Sequence, residues 1–132
     1  MKIYVALIIA LLMPFCVVAD DYSKSILYFL RGYRSDLQGN LDETIENYKS
    51  ALLYNQKSAS LMTELSFAYI KRGELDKAEN ILNEALTINE NNRNALILLG
   101  GIYSAKGDLE KAKDMYKKCI ALNGEDTEAY LY

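Results

Sequence analysis

The side chains able to perform catalysis are limited in this 132-residue sequence, because the most versatile type is absent. The chain contains no histidine, two cysteines and 18 aspartate and glutamate residues. Without histidine it lacks Ser–His and Cys–His nucleophile pairs, the commonest general acid or base and the usual transition-metal ligand. The carboxylates and the thiols are among the remaining candidates for chemistry.

The carboxylates have the spacing of charges on a helix surface. Glu43 and Glu46 lie three residues apart, and Glu110 and Asp114 lie four apart. At these spacings each has a simpler role as a solvated charge or as one member of an ion pair along a helix. We therefore predict that the chain is not an enzyme and that it has no catalytic residue, no metal site and no cofactor.

The two thiols give no sign of a reactive site. Cys16 belongs to the apolar N-terminal segment, and its removal with that segment would leave Cys119 without a partner for an internal disulfide. Cys119 has no histidine to activate it and falls among small apolar positions of a predicted helix. We predict that it is a buried packing residue, since an unactivated cysteine behaves as a small apolar side chain.

The first 19 residues have the layout of a secretory signal peptide. Lys2 supplies a positive charge, residues 3–19 are apolar throughout, and Val17 and Ala19 occupy the positions read by signal peptidase. We predict cleavage after Ala19, a mature chain that is periplasmic or secreted, and a lead-in at residues 20–24. The alternative is an uncleaved anchor in the inner membrane, since 17 apolar residues approach the length that spans about 30 Å of hydrocarbon.

Composition and charge exclude further classes of protein. Lysine and arginine number 15 against 18 acidic residues, 51% of the chain is hydrophobic and 25% is charged. These values are typical of one folded domain. A nucleic-acid groove is not expected, because such grooves depend on clustered lysine and arginine. The only membrane contact that we expect is through the signal segment, if it is retained.

A period of 34 residues organises the remainder of the chain. Gly39, Gly73 and Gly107 open three segments that align without gaps. Apolar residues recur at helical spacing before the second and third of these glycines: Leu61, Met62, Leu65, Ala68 and Tyr69, then Leu96, Leu99, Ile102 and Tyr103. Each period therefore predicts two antiparallel helices joined by a glycine turn. The second helices begin at Asn40, Glu74 and Asp108, with a capping box formed by Asn40 and Glu43.

These residues resemble the tetratricopeptide repeat family. Its first-helix signature is matched by Leu96, Leu99, Gly100 and Tyr103, and its second-helix signature by Ala112, Tyr116 and Cys119. The resemblance implies an all-α fold, a right-handed α-solenoid of antiparallel helix hairpins. It places the repeats at residues 25–58, 59–92 and 93–126, with the start of an incomplete fourth repeat at residues 127–132.

The first repeat departs from the family pattern. Arg31 and Ser35 occupy positions that are usually apolar, and Thr44 replaces a small alanine. We expect these polar residues to suit an end repeat whose outer side faces water. The proline that closes each unit in the family is replaced by Gln56, Glu90 and Gly124.

The C-terminal end of the array lacks a polar cap. A repeat array buries its core between neighbours, so the end leaves Met115, Tyr116 and Ile120 half covered. We expect either that the chain is the front part of a longer repeat protein or that this end closes by self-association.

The resemblance implies that the first helices form a concave face that receives a peptide. The inward positions are Ile26, Phe29, Tyr33, Thr63, Phe67, Ile70, Asn94, Ile97 and Gly101. The chaperone-binding branch of the family clamps a C-terminal carboxylate with lysine and asparagine, whereas Phe29, Phe67 and Gly101 stand at those contact positions here. We therefore predict binding of an apolar or amphipathic segment, the candidate contact residues being Phe29, Tyr33, Phe67, Ile70 and Ile97.

Three interpretations of this surface remain open. The first is a protein-interaction scaffold of a bacterial cell envelope, whose partner is another protein or peptide segment. The second is the repeat region of a larger secreted or envelope protein whose enzymatic or secretion chemistry lies outside these residues. The third is that the apolar side chains only pack against the preceding residues 21–24 or against the next repeats of a longer superhelix.

Overall fold

The computed structural model describes the backbone of residues 2–128 and the side chains of residues 20–122. This described part contains six α-helices and no strand, which confirms the all-α fold of successive hairpins. The helices are α1 (Lys2–Leu37), α2 (Leu41–Tyr54), α3 (Ala59–Lys71), α4 (Leu75–Ile88), α5 (Arg93–Ala105) and α6 (Leu109–Glu128).

The chain divides into two compact units. The first, Met1–Gln56, contains the hairpin of α1 and α2, and the second, Lys57–Tyr132, contains the hairpins α3–α4 and α5–α6. Within the second unit α4 also packs against α5, so the two hairpins share a core. That core contains side chains from all four helices, including Leu65, Leu82, Leu99 and Cys119.

Identical turns join the two helices of every hairpin. Gly39, Gly73 and Gly107 have φ angles of 76°, 84° and 81°, in the left-handed region that glycine adopts without steric cost. In each turn the glycine N–H donates to the carbonyl three residues before it, and the next N–H donates to the carbonyl five residues before itself. This is the Schellman arrangement, which satisfies carbonyl groups left over at a helix end. The predicted role of the three glycines is confirmed.

The second helices begin as predicted, although their caps differ. Asn40 Oδ1 accepts a 3.4 Å hydrogen bond from the Glu43 N–H, and Glu43 Oε2 accepts one of 3.0 Å from Asn40 Nδ2. The glutamate thus reaches the asparagine side chain rather than its backbone N–H. Asp108 Oδ1 accepts from the Lys111 N–H at 3.3 Å, whereas Glu74 makes no side-chain cap.

Close packing inside two hairpins depends on a glycine that faces a tyrosine. An added Cβ at Gly32 would lie 2.6 Å from the Tyr48 ring, and one at Gly100 would lie 2.6 Å from the Tyr116 ring. The middle hairpin has Ser66 and Leu82 at the equivalent positions, and both are fully buried. Each hairpin therefore pairs a small residue with a larger one, which is how interdigitated helices fill space.

The expectation that Ser35 and Thr44 face water is wrong. Ser35 is 1% exposed and Thr44 is fully buried, although Arg31 is exposed as expected. The Ser35 hydroxyl donates to the Arg31 carbonyl at 3.0 Å, and the Thr44 hydroxyl donates to the Asn40 carbonyl at 2.8 Å. Burial is tolerated because each hydroxyl finds an acceptor in the preceding turn of its own helix.

Several sequence predictions fall at the chain ends. The side chains of the predicted signal lie outside the described residues, so cleavage after Ala19 and the alternative anchor stay predictions. Among the residues that the structure describes, no helix is long and apolar enough to cross a membrane. Helix α6 continues through Asn123, whereas α4 ends just before the equivalent Asn89. Residues 129–132 lie outside the described part, and the fourth repeat also stays a prediction.

Cys119 is 6% exposed, which confirms its predicted burial. The side chains described here include no group of three or more cysteine, aspartate or glutamate residues arranged to hold a metal ion. The thiol therefore contributes to the hairpin core, as expected for an unactivated cysteine.

Candidate functional site

The predicted contact residues of the first unit lie on α1 and differ in accessibility. Phe29 is partly buried, with its ring centroid 5.7 Å from that of Tyr48 and 6.5 Å from that of Tyr33. Tyr33 remains half exposed. Packing between two tyrosines makes Phe29 largely a structural residue of this hairpin, so Tyr33 is the more accessible of the two candidates.

The predicted contact residues of the second unit are brought together by α3 and α5. Phe67 is 41% exposed and Ile97 is 42% exposed, a large accessible fraction for apolar side chains. Both line a groove of about 250 Å³, whose other lining residues are Thr63, Glu64, Asn94 and Leu98. Four other inward positions were predicted on these two helices, and two of them, Thr63 and Asn94, also line this groove.

A second groove adjoins the first and is apolar. It has a volume of about 400 Å³ and is lined by Ile70, Leu75, Ile97, Leu98, Gly101, Ile102, Ala105 and Tyr116. Ile97 and Leu98 line both grooves, which together we call the α3–α5 groove. Among the side chains that the structure describes, those lining this apolar half are all uncharged. The predicted residues Phe67, Ile70 and Ile97 therefore share one surface of the second unit.

Asn92 fixes the spacing of the two helices that form the groove. Its Oδ1 caps α5 by accepting from the Ala95 N–H at 3.2 Å. Its Nδ2 donates to Thr63 Oγ1 at 2.9 Å and to the Ala59 carbonyl at 3.4 Å, both on α3. One asparagine thus satisfies the start of α5 and holds it against the preceding repeat.

An ion-pair cluster holds the other end of α5. Lys106 Nζ lies 2.5 Å from Asp76 Oδ1 and 2.5 Å from Glu79 Oε2, both on α4. Hydrogen bonds to Asp76 and then to Glu79 are the main causes that raise the pKa of Lys106 well above its ordinary value. The lysine charge is therefore engaged by α4.

One further cation lies close to the groove. Lys71 Nζ is 4.7 Å from the centroid of the Phe67 ring, within the range of a cation–π interaction. The contact therefore places a positive charge beside a side chain that lines the groove. Among the side chains that line the groove itself, Glu64 carries the formal charge.

Leu98 and Asn92 are among the contributors to this site that sequence reasoning missed. Leu98 lines both halves of the groove, and Asn92 positions its walls. An asparagine directly before an apolar helical run is a recognised cap signal, so the capping role of Asn92 was accessible from sequence. Its bond to Thr63 depends on the stacking of two repeats and was not.

The structure thus defines an all-α repeat protein whose first helices carry an accessible apolar groove. Residues 57–124 match the family model described as tetratricopeptide repeat. The chain therefore belongs to the tetratricopeptide repeat family. A search of curated proteins found no match.

Solved structures of other repeat domains are similar to this chain. The first tetratricopeptide domain of Spaghetti (RPAP3), bound to the HSP90 peptide SRMEEVD, is 26% identical with a TM-score of 0.74 and covers 76% of this chain and 80% of that one. The crystal structure of MamA is 22% identical with a TM-score of 0.77, covering 85% and 65% of the two chains. The Arabidopsis OM64 domain is 15% identical with a TM-score of 0.75, covering 80% and 87%. The last two show the fold alone.

Proposed function

We propose that this chain is a protein-interaction module that binds an apolar or amphipathic peptide segment in the α3–α5 groove. The observation that carries the proposal is the exposure of Phe67 and Ile97 side by side on the first helices of two stacked repeats. Apolar side chains held open on a rigid scaffold are typical of a docking surface. Aromatic and aliphatic anchors of this kind usually provide most of the binding free energy.

Peptide binding by a similar protein supports the proposal in general terms. The charge of the groove, however, favours a ligand of different chemistry from the peptide that the similar protein binds. The similar RPAP3 domain holds the acidic peptide SRMEEVD. Recognition of carboxylates depends on cationic donors, but the described side chains that line the α3–α5 groove include Glu64 and neither a lysine nor an arginine. An uncharged apolar segment is therefore the better match for this surface.

Affinity capture from an envelope extract tests the binding proposal. We expect the Phe67→Ala/Ile97→Ala variant to lose the partner recovered by the unchanged chain, with affinity reduced by about tenfold or more. Ile88→Ala is the matched control, because Ile88 is 41% exposed on α4 and lines neither half of the groove. Equal recovery by the groove variant and the control would contradict the proposal.

We also propose that the chain functions in the cell envelope, either in the periplasm or after secretion. The support is the charge and apolar pattern of residues 1–19 and the small residues before Asp20. Cell fractionation followed by N-terminal sequencing tests this. We expect a mature chain that begins at Asp20. An intact N-terminus in the membrane fraction would favour the anchor instead, and an intact chain in the cytoplasm would contradict both.

A further inference from the structure

Gly101 is a helix glycine for which neither the turns nor the packing of the chain gives a reason. Glycine inside a helix is destabilising relative to alanine, so its presence calls for a cause. The other glycines with described surroundings have one: positive φ at Gly39, Gly73 and Gly107, or a tyrosine ring at Gly32 and Gly100. Gly101 lies in the middle of α5, and an added Cβ would meet no neighbouring atom within 4 Å.

The open space over Gly101 belongs to the apolar half of the α3–α5 groove. Around it lie the side chains of Ile70, Ile97 and Tyr116, within a volume of about 400 Å³. This open space is large enough to accommodate a leucine or phenylalanine side chain. A side chain introduced at position 101 would extend from α5 into this half of the groove and fill it.

We infer that Gly101 forms the floor of an anchor pocket that receives one large uncharged side chain, aliphatic or aromatic, from a peptide segment of a partner protein. The inference rests on the proposed function and specifies its ligand. An uncharged lining calls for an uncharged occupant, and none of the described side chains around this pocket is charged. A carboxylate or ammonium group placed there would lose its hydration without gaining an ionic partner.

Peptides selected from a random phage-displayed library of 14-residue sequences provide the probe. The library is panned against the purified chain, and the selected peptides are labelled with fluorescein for anisotropy titration. We expect them to share one large apolar residue, and replacement of that residue by alanine to weaken binding about tenfold or more. SRMEEVD, the peptide held by the RPAP3 domain, serves as the acidic comparison and is expected to bind more weakly.

Gly101→Leu tests whether the shared residue occupies this pocket. The leucine fills the pocket from below, so the parent peptide should lose about tenfold or more in affinity. Replacing the peptide anchor with alanine should then cause little further loss on this variant, because the anchor no longer has a pocket to enter. Such non-additivity identifies two groups that occupy one space.

A neighbouring pair of variants separates binding from folding. Gly101→Ala should raise the midpoint of urea unfolding, because alanine favours the helix and its methyl group meets open space. Gly100→Ala should not share this gain, because its methyl group would meet the Tyr116 ring. A loss of affinity in the more stable Gly101→Ala variant cannot be attributed to unfolding.

The outcomes distinguish this inference from the proposed function. If selected peptides bind the unchanged chain and Gly101→Leu equally, the pocket assignment is wrong while peptide binding by the groove still stands. If panning enriches no peptide, or if SRMEEVD binds as tightly as the selected sequences, the proposed apolar ligand is itself contradicted, and the pocket assignment with it.

Discussion

Gly32→Ala is expected to destabilise the chain, although alanine is normally preferred to glycine in a helix. The added Cβ would lie 2.6 Å from two atoms of the Tyr48 ring and 3.3 Å from the Asn47 Cβ. Tyr48 is 2% exposed and its ring stacks on Phe29 at a centroid distance of 5.7 Å, so it has little room to retreat. Either the ring or the helix backbone must move.

Two opposing effects determine the magnitude. Overpacking of a closely packed core typically costs about 1–3 kcal/mol. Replacing an interior helix glycine by alanine contributes about 1 kcal/mol in the opposite direction. We therefore expect a net loss of about 1 kcal/mol in the free energy of unfolding, measured by urea titration with circular dichroism.

The middle repeat suggests the compensating change. Ser66 and Leu82 occupy the positions equivalent to Gly32 and Tyr48, so a residue larger than glycine is accommodated opposite leucine. In a Tyr48→Leu background, Gly32→Ala should become neutral or stabilising, which gives a coupling energy of about 1–2 kcal/mol. Tyr48→Leu alone should be destabilising because it leaves a cavity.

Gly101→Ala is the matched control, because its added Cβ meets open space on the surface of α5. It should gain about 1 kcal/mol from helix propensity alone. If Gly32→Ala stabilised the chain as much as Gly101→Ala does, the proposed contact with the tyrosine ring would be refuted.

Further predictions concern the repeat junction, the turns and the ion pairs. Asn92→Ala should lose about 1–2 kcal/mol because it removes a helix cap and the bond to the preceding repeat, whereas Asn91→Ala should change the urea midpoint little. Gly73→Ala should lose about 1–2 kcal/mol in the same titration, since its φ of 84° is unfavourable for alanine. Hydrogen bonds from Lys77 and then Arg72 lower the pKa of Glu74, so its contribution to stability is present above the ordinary glutamate pKa and is lost as the pH falls through the lower folded value. The thermal midpoint of Glu74→Gln should accordingly depend less on pH, as the pH falls below the ordinary glutamate pKa, than that of the unchanged chain, and identical pH profiles would contradict this.

The sequence predicted the hairpin turns well because their causes are local. Glycine is needed where φ is positive, and the 34-residue spacing reveals the same requirement three times. The burial of Ser35 and Thr44 was mispredicted because residue polarity was taken to indicate a surface position. The hydroxyl of each residue is satisfied by a carbonyl of its own helix, which permits burial.

The position of the candidate site could be predicted only in part. The spacing of residues along a helix shows which of them share a face, but it does not show how deeply each side chain is buried. Phe67, Ile70 and Ile97 lie together on one surface of the second unit, and their role in binding stays a prediction. Phe29 has the same register but lies between two tyrosine rings, so its contribution is mainly structural. Phe29 differs from the other three residues because of its ring contacts within the hairpin, and the spacing of residues along one helix does not reveal such contacts.

The adjacent residues Gly100 and Gly101 show what the sequence determines and what only the tertiary structure determines. The sequence by itself determined that both lie within a helix of a repeated hairpin, because helical periodicity and turn chemistry act over a few residues. Only the tertiary structure decided that one faces the Tyr116 ring and the other faces an open groove. A rotation of about 100° per residue directs successive positions toward different neighbours, and those neighbours belong to segments distant in the chain.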